Sequence, residues 1–185
     1  MKEEKTKHAE LQNTAVRWLY NLGCSVFPLE VPTENGIADA LGIKTRDAET
    51  VYYIEAKASR SDLMCQKQKD VYARATGLLK EKCYYHGLRD SKQIMLLRAQ
   101  DEDTCERCKM VEQKNADTGI DFYYFILADG VNIKEDEYSM FGVLNEQGEI
   151  QRRAKRMKRD GDTKRLIQNI AHVLVYKTFG KLYQV

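Results

Sequence analysis

Val51-Tyr52-Tyr53-Ile54-Glu55-Ala56-Lys57 is the stretch on which the fold turns. Side chains alternate faces along a β-strand. Val51, Tyr53, Glu55 and Lys57 therefore share one face, and Tyr52, Ile54 and Ala56 the other. Two opposite charges end an otherwise apolar strand, side by side. Upstream, Ile37-Ala38-Asp39-Ala40-Leu41-Gly42-Ile43 follows the same pattern, with Asp39 interrupting the row Ile37, Leu41, Ile43. Burying a carboxylate without a partner is costly, so both acids are expected to meet a cation or a metal. The polar stretch 44–50 joins the two runs closely enough to predict an antiparallel hairpin.

Outward from that hairpin, residues 8–22 carry Leu11, Ala15, Trp18 and Leu22 at helical spacing, and Gly23 offers a stop. Glu10 sits beside that stripe, on the flank expected to face the core. Residues 25–30 read as a short strand in which Pro28 favours an edge, and residues 32–36 as a turn. After Lys57, Ser59 or Ser61 supplies an N-cap for a helix running to about Ala75. Residues 122–128 form a continuous apolar run, the mark of a strand buried on both faces. With the preceding helix it predicts a right-handed crossover unit. Residues 141–144 and 150–151 suggest a hairpin turning at Glu146-Gln147-Gly148. The last element, 163–179, is an amphipathic helix with Leu166, Ile167, Ile170, Val173 and Leu174 on its apolar side. Together these predict one α/β domain over 1–185, interrupted by a polar insertion at 79–119.

With 185 residues, 43% hydrophobic and 31% charged, the chain can bury one ordinary core and is not expected to be disordered. No apolar stretch approaches the roughly 20 residues that span a bilayer, and no signal peptide is visible, so a cytoplasmic protein is expected. Five cysteines, an odd number, suit a reducing compartment, where a cluster of thiols points to metal before disulfide. The three histidines stand far apart, and no Gly-rich phosphate loop is present.

Two acids and a lysine on neighbouring strands are suited to phosphodiester hydrolysis. Mg²⁺ takes one or two carboxylates and waters, offsetting phosphate charge and activating water. An acid and a Lys at i and i+2 reach the same side about 7 Å apart. On the helix 8–12, the turn 31–36, the strand 37–42 and Ile54-Glu55-Ala56-Lys57-Ala58-Ser59-Arg60-Ser61-Asp62, the sequence resembles the PD-(D/E)xK nuclease superfamily. Within it the likeness is to the small MmcB-type DNA repair proteins, well over 8–72 and weakly at 122–133, 142–144 and 153–156. The resemblance implies a restriction-endonuclease-like mixed β-sheet flanked by helices, here with a Cys-containing insertion. It further implies Asp39 and Glu55 as ligands of Mg²⁺ or Mn²⁺, Lys57 as catalytic lysine and Glu10 as supporting carboxylate. Gln68 and Tyr72 stand at the Gln-x-x-x-Tyr spacing of RecB-like nucleases, which would add Gln68 to the site. Ala38 replaces the proline of the signature, and the 79–119 insertion departs from the pattern.

Cys105-Glu106-Arg107-Cys108 presents two thiols to one ion. Cys83 and Cys65, with His86 as a substitute, would complete a structural Zn²⁺ site; free thiols and an iron–sulfur cluster are the alternatives. Residues 150–165 hold eight basic residues and two acids, a local charge of +6 that leaves −4 on the rest of the chain. Arg152, Arg153, Lys155 and Arg156 are the candidate phosphate contacts. The expectation is a metal-dependent deoxyribonuclease acting on duplex or structured DNA in repair, recombination or restriction, with a homodimer left open. Its rivals are a catalytically inactive nucleic-acid-binding module of the same fold and a partner-binding scaffold.

Overall fold

The computed structural model describes residues 2–33, 36–45, 50–65, 80–83, 87–90, 119–134, 138–157 and 163–179. Helix α1 (Lys2–Asn21) begins earlier than its apolar spacing suggested and buries Leu11, Ala15 and Leu19. Trp18 and Leu22 flank that stripe, half-buried. Gly23, at φ 87°, ends the helix in a left-handed cap. The Cys24 N–H donates to Leu19 O and the Gly23 N–H to Tyr20 O, which is a Schellman motif.

Among the described residues eight strands follow the helix. Strands β1 (Leu29–Thr33), β2 (Gly36–Lys44), β3 (Thr50–Lys57), β6 (Phe122–Leu127), β7 (Gly142–Leu144) and β8 (Ile150–Arg152) form one mixed sheet in the order β1-β2-β3-β6-β7-β8. Helix α2 (Arg60–Cys65) follows β3, and β4 (Lys80–Cys83) pairs antiparallel with β5 (Gly87–Asp90) in a separate two-stranded sheet. The expected hairpin of β2 and β3 is antiparallel, and β6 lies parallel to β3. The first strand is displaced from its expected place. Val26 makes an isolated bridge to Ile43, and regular pairing starts at Leu29 and runs through Pro32, which was read as turn. Proline is tolerated there because β1 is an edge strand.

Both faces of the central strands are buried. Tyr53 stacks on Tyr123 with ring centroids 4.9 Å apart, and Tyr123 stacks on Phe141 at 4.4 Å. On the opposite face Trp18 of α1 meets Tyr124 at 4.9 Å and Tyr52 at 6.1 Å. Helix α3 (Thr163–Phe179) has the bounds its periodicity predicts, and lies against β1, with the Asn169 side-chain amide donating to Pro32 O. Its stripe is narrower than expected: Ile170 is buried, while Ile167 is 48% exposed. Among the described residues no helix is long and apolar enough to cross a membrane.

The feature that positions the site is a fork. Strands β2 and β3 pair from Lys44↔Thr50 to Ala40↔Ile54. Beyond that point β2 continues against β1 through Thr33↔Gly36, and β3 continues against β6 through Lys57↔Leu127. Asp39, Glu55 and Lys57 all lie in the segments that follow the fork.

Candidate active site

Asp39 closes the crotch of the fork. Extending the β2–β3 register by one pair sets Asp39 opposite Glu55. Its Oδ2 accepts the Ala56 N–H at 2.8 Å, a donor positioned between Glu55 and Lys57 in sequence. Its Oδ1 accepts from His8 Nε2 at 3.2 Å and from Gln12 Nε2 at 3.5 Å. His8 and Gln12 stand one turn apart on α1, so they share a face of that helix. Burial pushes the Asp39 carboxyl upward, but the His8 and Ala56 hydrogen bonds and the charges of His8 and Lys57 outweigh it, and the net direction is down. The hydrogen bond to Asp39 raises His8 against the opposing effect of burial.

Glu55 and Lys57 are 1% and 2% exposed, among the most deeply buried charged residues described. Glu55 Oε1 accepts the Tyr53 hydroxyl at 3.1 Å, and Oε2 accepts Lys57 Nζ at 3.1 Å. All three come from one face of β3, as the period-2 reading requires. Lys57 Nζ also lies 3.4 Å from Asp62 Oδ1 on α2. Burial lowers Lys57, but Glu55 and Asp62 more than compensate, so the group is raised and stays an ammonium. Burial foremost, with the neighbouring Glu55 charge, raises the Tyr53 phenol, which remains a neutral donor.

Local sequence explains why α2 carries Asp62 to that spot. Ser59 caps the helix: its Oγ accepts the Asp62 N–H at 3.3 Å and its carbonyl the Leu63 N–H at 3.2 Å. The Tyr138 hydroxyl donates to Leu63 O, and the Arg60 guanidinium to Asn132 O, fastening both ends of this short helix.

Asp39, Glu55 and Lys57 are thus brought together as the sequence suggested, but Glu10 is not. It is exposed and lines a cleft with Lys7, Asn13, Arg17 and Glu146. The reason is helical geometry: two residues of α-helix turn the chain by about 200°, so the side of α1 that offers His8 to Asp39 turns Glu10 away. His8 and Gln12 take the place expected for Glu10. Their signal in the sequence was the i, i+4 spacing of two polar residues on a stripe otherwise apolar, at Leu11 and Ala15.

The other candidates divide. Cys65 is an exposed free thiol at the end of α2, and Cys83 lies on β4. Gln68, Tyr72, His86, Cys105 and Cys108 lie outside the described residues. Among the described residues no group of three or more His, Cys, Asp or Glu is arranged to hold a metal. The Asp39–Glu55 pair is a set of hard oxygen donors on facing strands, and it fits an ion that takes one or two carboxylates and fills its shell with water.

The basic stretch is also divided. Arg152 is committed to backbone, donating to Phe141 O at 3.0 Å, Tyr138 O at 3.1 Å and Lys134 O at 3.5 Å. Arg156 pairs with the buried Asp121 at 2.9 Å. Arg153 and Lys155 are exposed. Asp121, which the sequence reading passed over, also accepts the Val51 N–H, and its carbonyl accepts the Met157 N–H. It therefore fixes Arg156 at the Val51 end of β3. Lys57 is six residues along that strand, about 20 Å away. Arg156 thus stands at the other end of the sheet from the acids, whereas Arg152, opposite Val143, lies level with Glu55 and three strands across from it.

No protein-family model matches the chain, and no curated protein matches it. A solved structure does. The chain is similar in fold to the SPO1766 protein of unknown function from Silicibacter pomeroyi. The TM-score is 0.57 at 18% identity, over 95% of this chain and 91% of that chain. At that identity the likeness concerns the fold alone, and the site rests on its own geometry.

Proposed function

We propose that the chain is a divalent-metal-dependent deoxyribonuclease of the PD-(D/E)xK type, hydrolysing phosphodiester bonds in duplex or structured DNA. The observation that carries this reading is the meeting of Asp39, Glu55 and Lys57 at the fork of β2 and β3. Two of the three are almost fully buried and in contact. Two carboxylates gathered around a buried ammonium have a chemical use that a surface ion pair does not. The restriction-endonuclease-like reading of the sheet is supported by the element order: helix, antiparallel hairpin ending in Glu55-Ala56-Lys57, helix, then a parallel strand.

Asp39 and Glu55 would hold Mg²⁺ or Mn²⁺, which supplies charge neutralisation at phosphate and a more acidic attacking water. Lys57, held as an ammonium, would donate a hydrogen bond to a phosphoryl oxygen and stabilise the charge that develops there. Tyr53 fixes the rotamer of Glu55 through its hydroxyl. His8, Gln12 and the Ala56 N–H together fix both oxygens of Asp39.

A panel of duplex, single-stranded and branched DNAs with Mg²⁺ or Mn²⁺ tests the reading. Cleavage is expected only with metal, and Glu55→Ala and Lys57→Ala are each expected to lower kcat by at least about 100-fold. Full activity in both variants would refute the assignment. Salt-dependent DNA binding with no cleavage under either metal would leave a binding module in its place.

A further inference from the structure

Lys57 has two carboxylates within reach, and the nuclease reading uses only Glu55. We propose that Asp62 is a positioning residue that retains the Lys57 ammonium when a divalent cation occupies Glu55, so that lysine and metal do not contend for one carboxylate. The inference rests on the nuclease reading of this site.

The geometry sets the problem first. Glu55 Oε1 is engaged by Tyr53 and Oε2 by Lys57, so a cation arriving at Glu55 meets an ammonium already 3.1 Å from the same group. Two cations on one buried carboxylate repel strongly where the medium is poorly polarisable. Lys57 cannot relieve this by moving into water, because its side chain is almost wholly enclosed. Its second acceptor is Asp62 Oδ1 at 3.4 Å.

Asp62 is suited to that task by its place in the fold. It sits in the first turn of α2, with its own N–H bonded to the Ser59 hydroxyl. An acid at that position of a helix commonly reaches back toward the cap residue; here Oδ1 is directed at Lys57. Tyr138 and Arg60 pin the helix, so the carboxylate is held and does not search for the ammonium. Asp62 is 37% exposed, whereas Glu55 is sealed, so the second acceptor for Lys57 stands nearer to solvent than the first.

Mn²⁺ binding measured by calorimetry on the full chain tests this through a double-mutant cycle of Asp62→Asn and Lys57→Met, with Glu55→Gln alongside. Asp62→Asn is expected to weaken Mn²⁺ binding about ten-fold in the native background and to have little effect in Lys57→Met, a coupling typical of residues in contact. Equal weakening in both backgrounds would mean that Asp62 merely attracts cations, and would overturn the inference. No weakening in either would also overturn it. Wild-type binding that is absent, or unchanged in Glu55→Gln, would defeat the nuclease reading itself, a result distinct from both. If Lys57→Met does not fold, the side-chain ¹⁵N resonance of Lys57 gives a second readout. With saturating Mg²⁺ it should stay protected from exchange in the wild type and be lost in Asp62→Asn; persistence in the variant overturns the inference.

Discussion

At the scale of single residues, the site is organised around which oxygens each carboxylate has committed. Asp39 is fixed through three donors, two of them from α1, so its orientation depends on a helix distant in sequence. Under the proposed nuclease reading, His8→Ala is therefore expected to lower kcat about 10- to 100-fold, as loss of a residue that orients a metal ligand does, whereas Glu10→Ala should leave kcat and stability unchanged. Steady-state assays of the two variants side by side check this; equal losses would restore Glu10 to the site. The same contact has a pH signature in the metal-free protein. His8 is raised above its ordinary 6.5, so its contribution is complete below that pH and is lost as pH rises through the raised value. Asp39 is lowered below its ordinary 3.8, so its contribution is present above that pH and is lost as pH falls through the lowered value. The pair thus stabilises most between these two ordinary values. The stability difference between wild type and His8→Gln, from urea unfolding in EDTA, should be larger at about pH 5.5 than at about pH 8.5. Asp39, Glu55 and Lys57 were readable in the sequence because a strand repeats every two residues, which sets Glu55 and Lys57 on one face, and the hairpin register brings Asp39 beside them. Glu10 was misplaced because a helix stripe has a soft edge, and one position to either side changes which flank faces inward.

At the scale of elements, strands and helices whose apolar pattern was continuous fell where the sequence predicted: β2, β3, β6 and α3. Strand β1 did not, because its residues align with β2 from Val26 onward while Phe27-Pro28 interrupts regular pairing. A proline marks an edge strand and a turn equally well, and only the partner decides. Close approach between elements was likewise invisible. Gly142 of β7 pairs with Tyr124 of β6, and a Cβ built at Gly142 would fall 2.1 Å from the Tyr124 ring. That ring cannot retreat easily, since it packs on Trp18 and its hydroxyl accepts the Ala154 N–H. Gly142→Ala is expected to destabilise by about 1–3 kcal/mol, the usual cost of overpacking. In a chain of this size each kcal/mol lowers Tm by about 2–4 °C. Calorimetry measures it, and an unchanged Tm would show that the sheet yields at β7.

At the scale of the whole molecule, the near-neutral total of +2 conceals a separation along the sheet. Acids converge at the Lys57 end of β3, while Asp121 anchors the later part of the basic segment at the Val51 end through Arg156 and Met157. Charge counting along the sequence located that segment but not its distance from the acids, because the distance depends on the direction in which β8 and the residues after it run. Four neighbouring cations also proved unequal: removing Arg152 should lower Tm, since three backbone carbonyls lose their donor. Arg153 and Lys155, exposed and following β8 three strands across from β3, at least about 14 Å from Lys57, are the pair that the proposed nuclease reading leaves to meet phosphate. Double-stranded DNA rises 3.4 Å per base pair, so under that reading a duplex must extend at least about four base pairs beyond the scissile bond to reach them from the Lys57 end. Combined Arg153→Ala and Lys155→Ala should therefore raise KM several-fold for long duplexes, with the salt dependence of binding reduced by about two ion equivalents. The same variant should leave KM unchanged for duplexes shorter than that reach. Kinetics on a ladder of duplex lengths distinguishes the cases: a KM raised equally at every length would mean that these cations act at the cut itself and that the separation across the sheet from β3 to β8 does not govern how DNA is held.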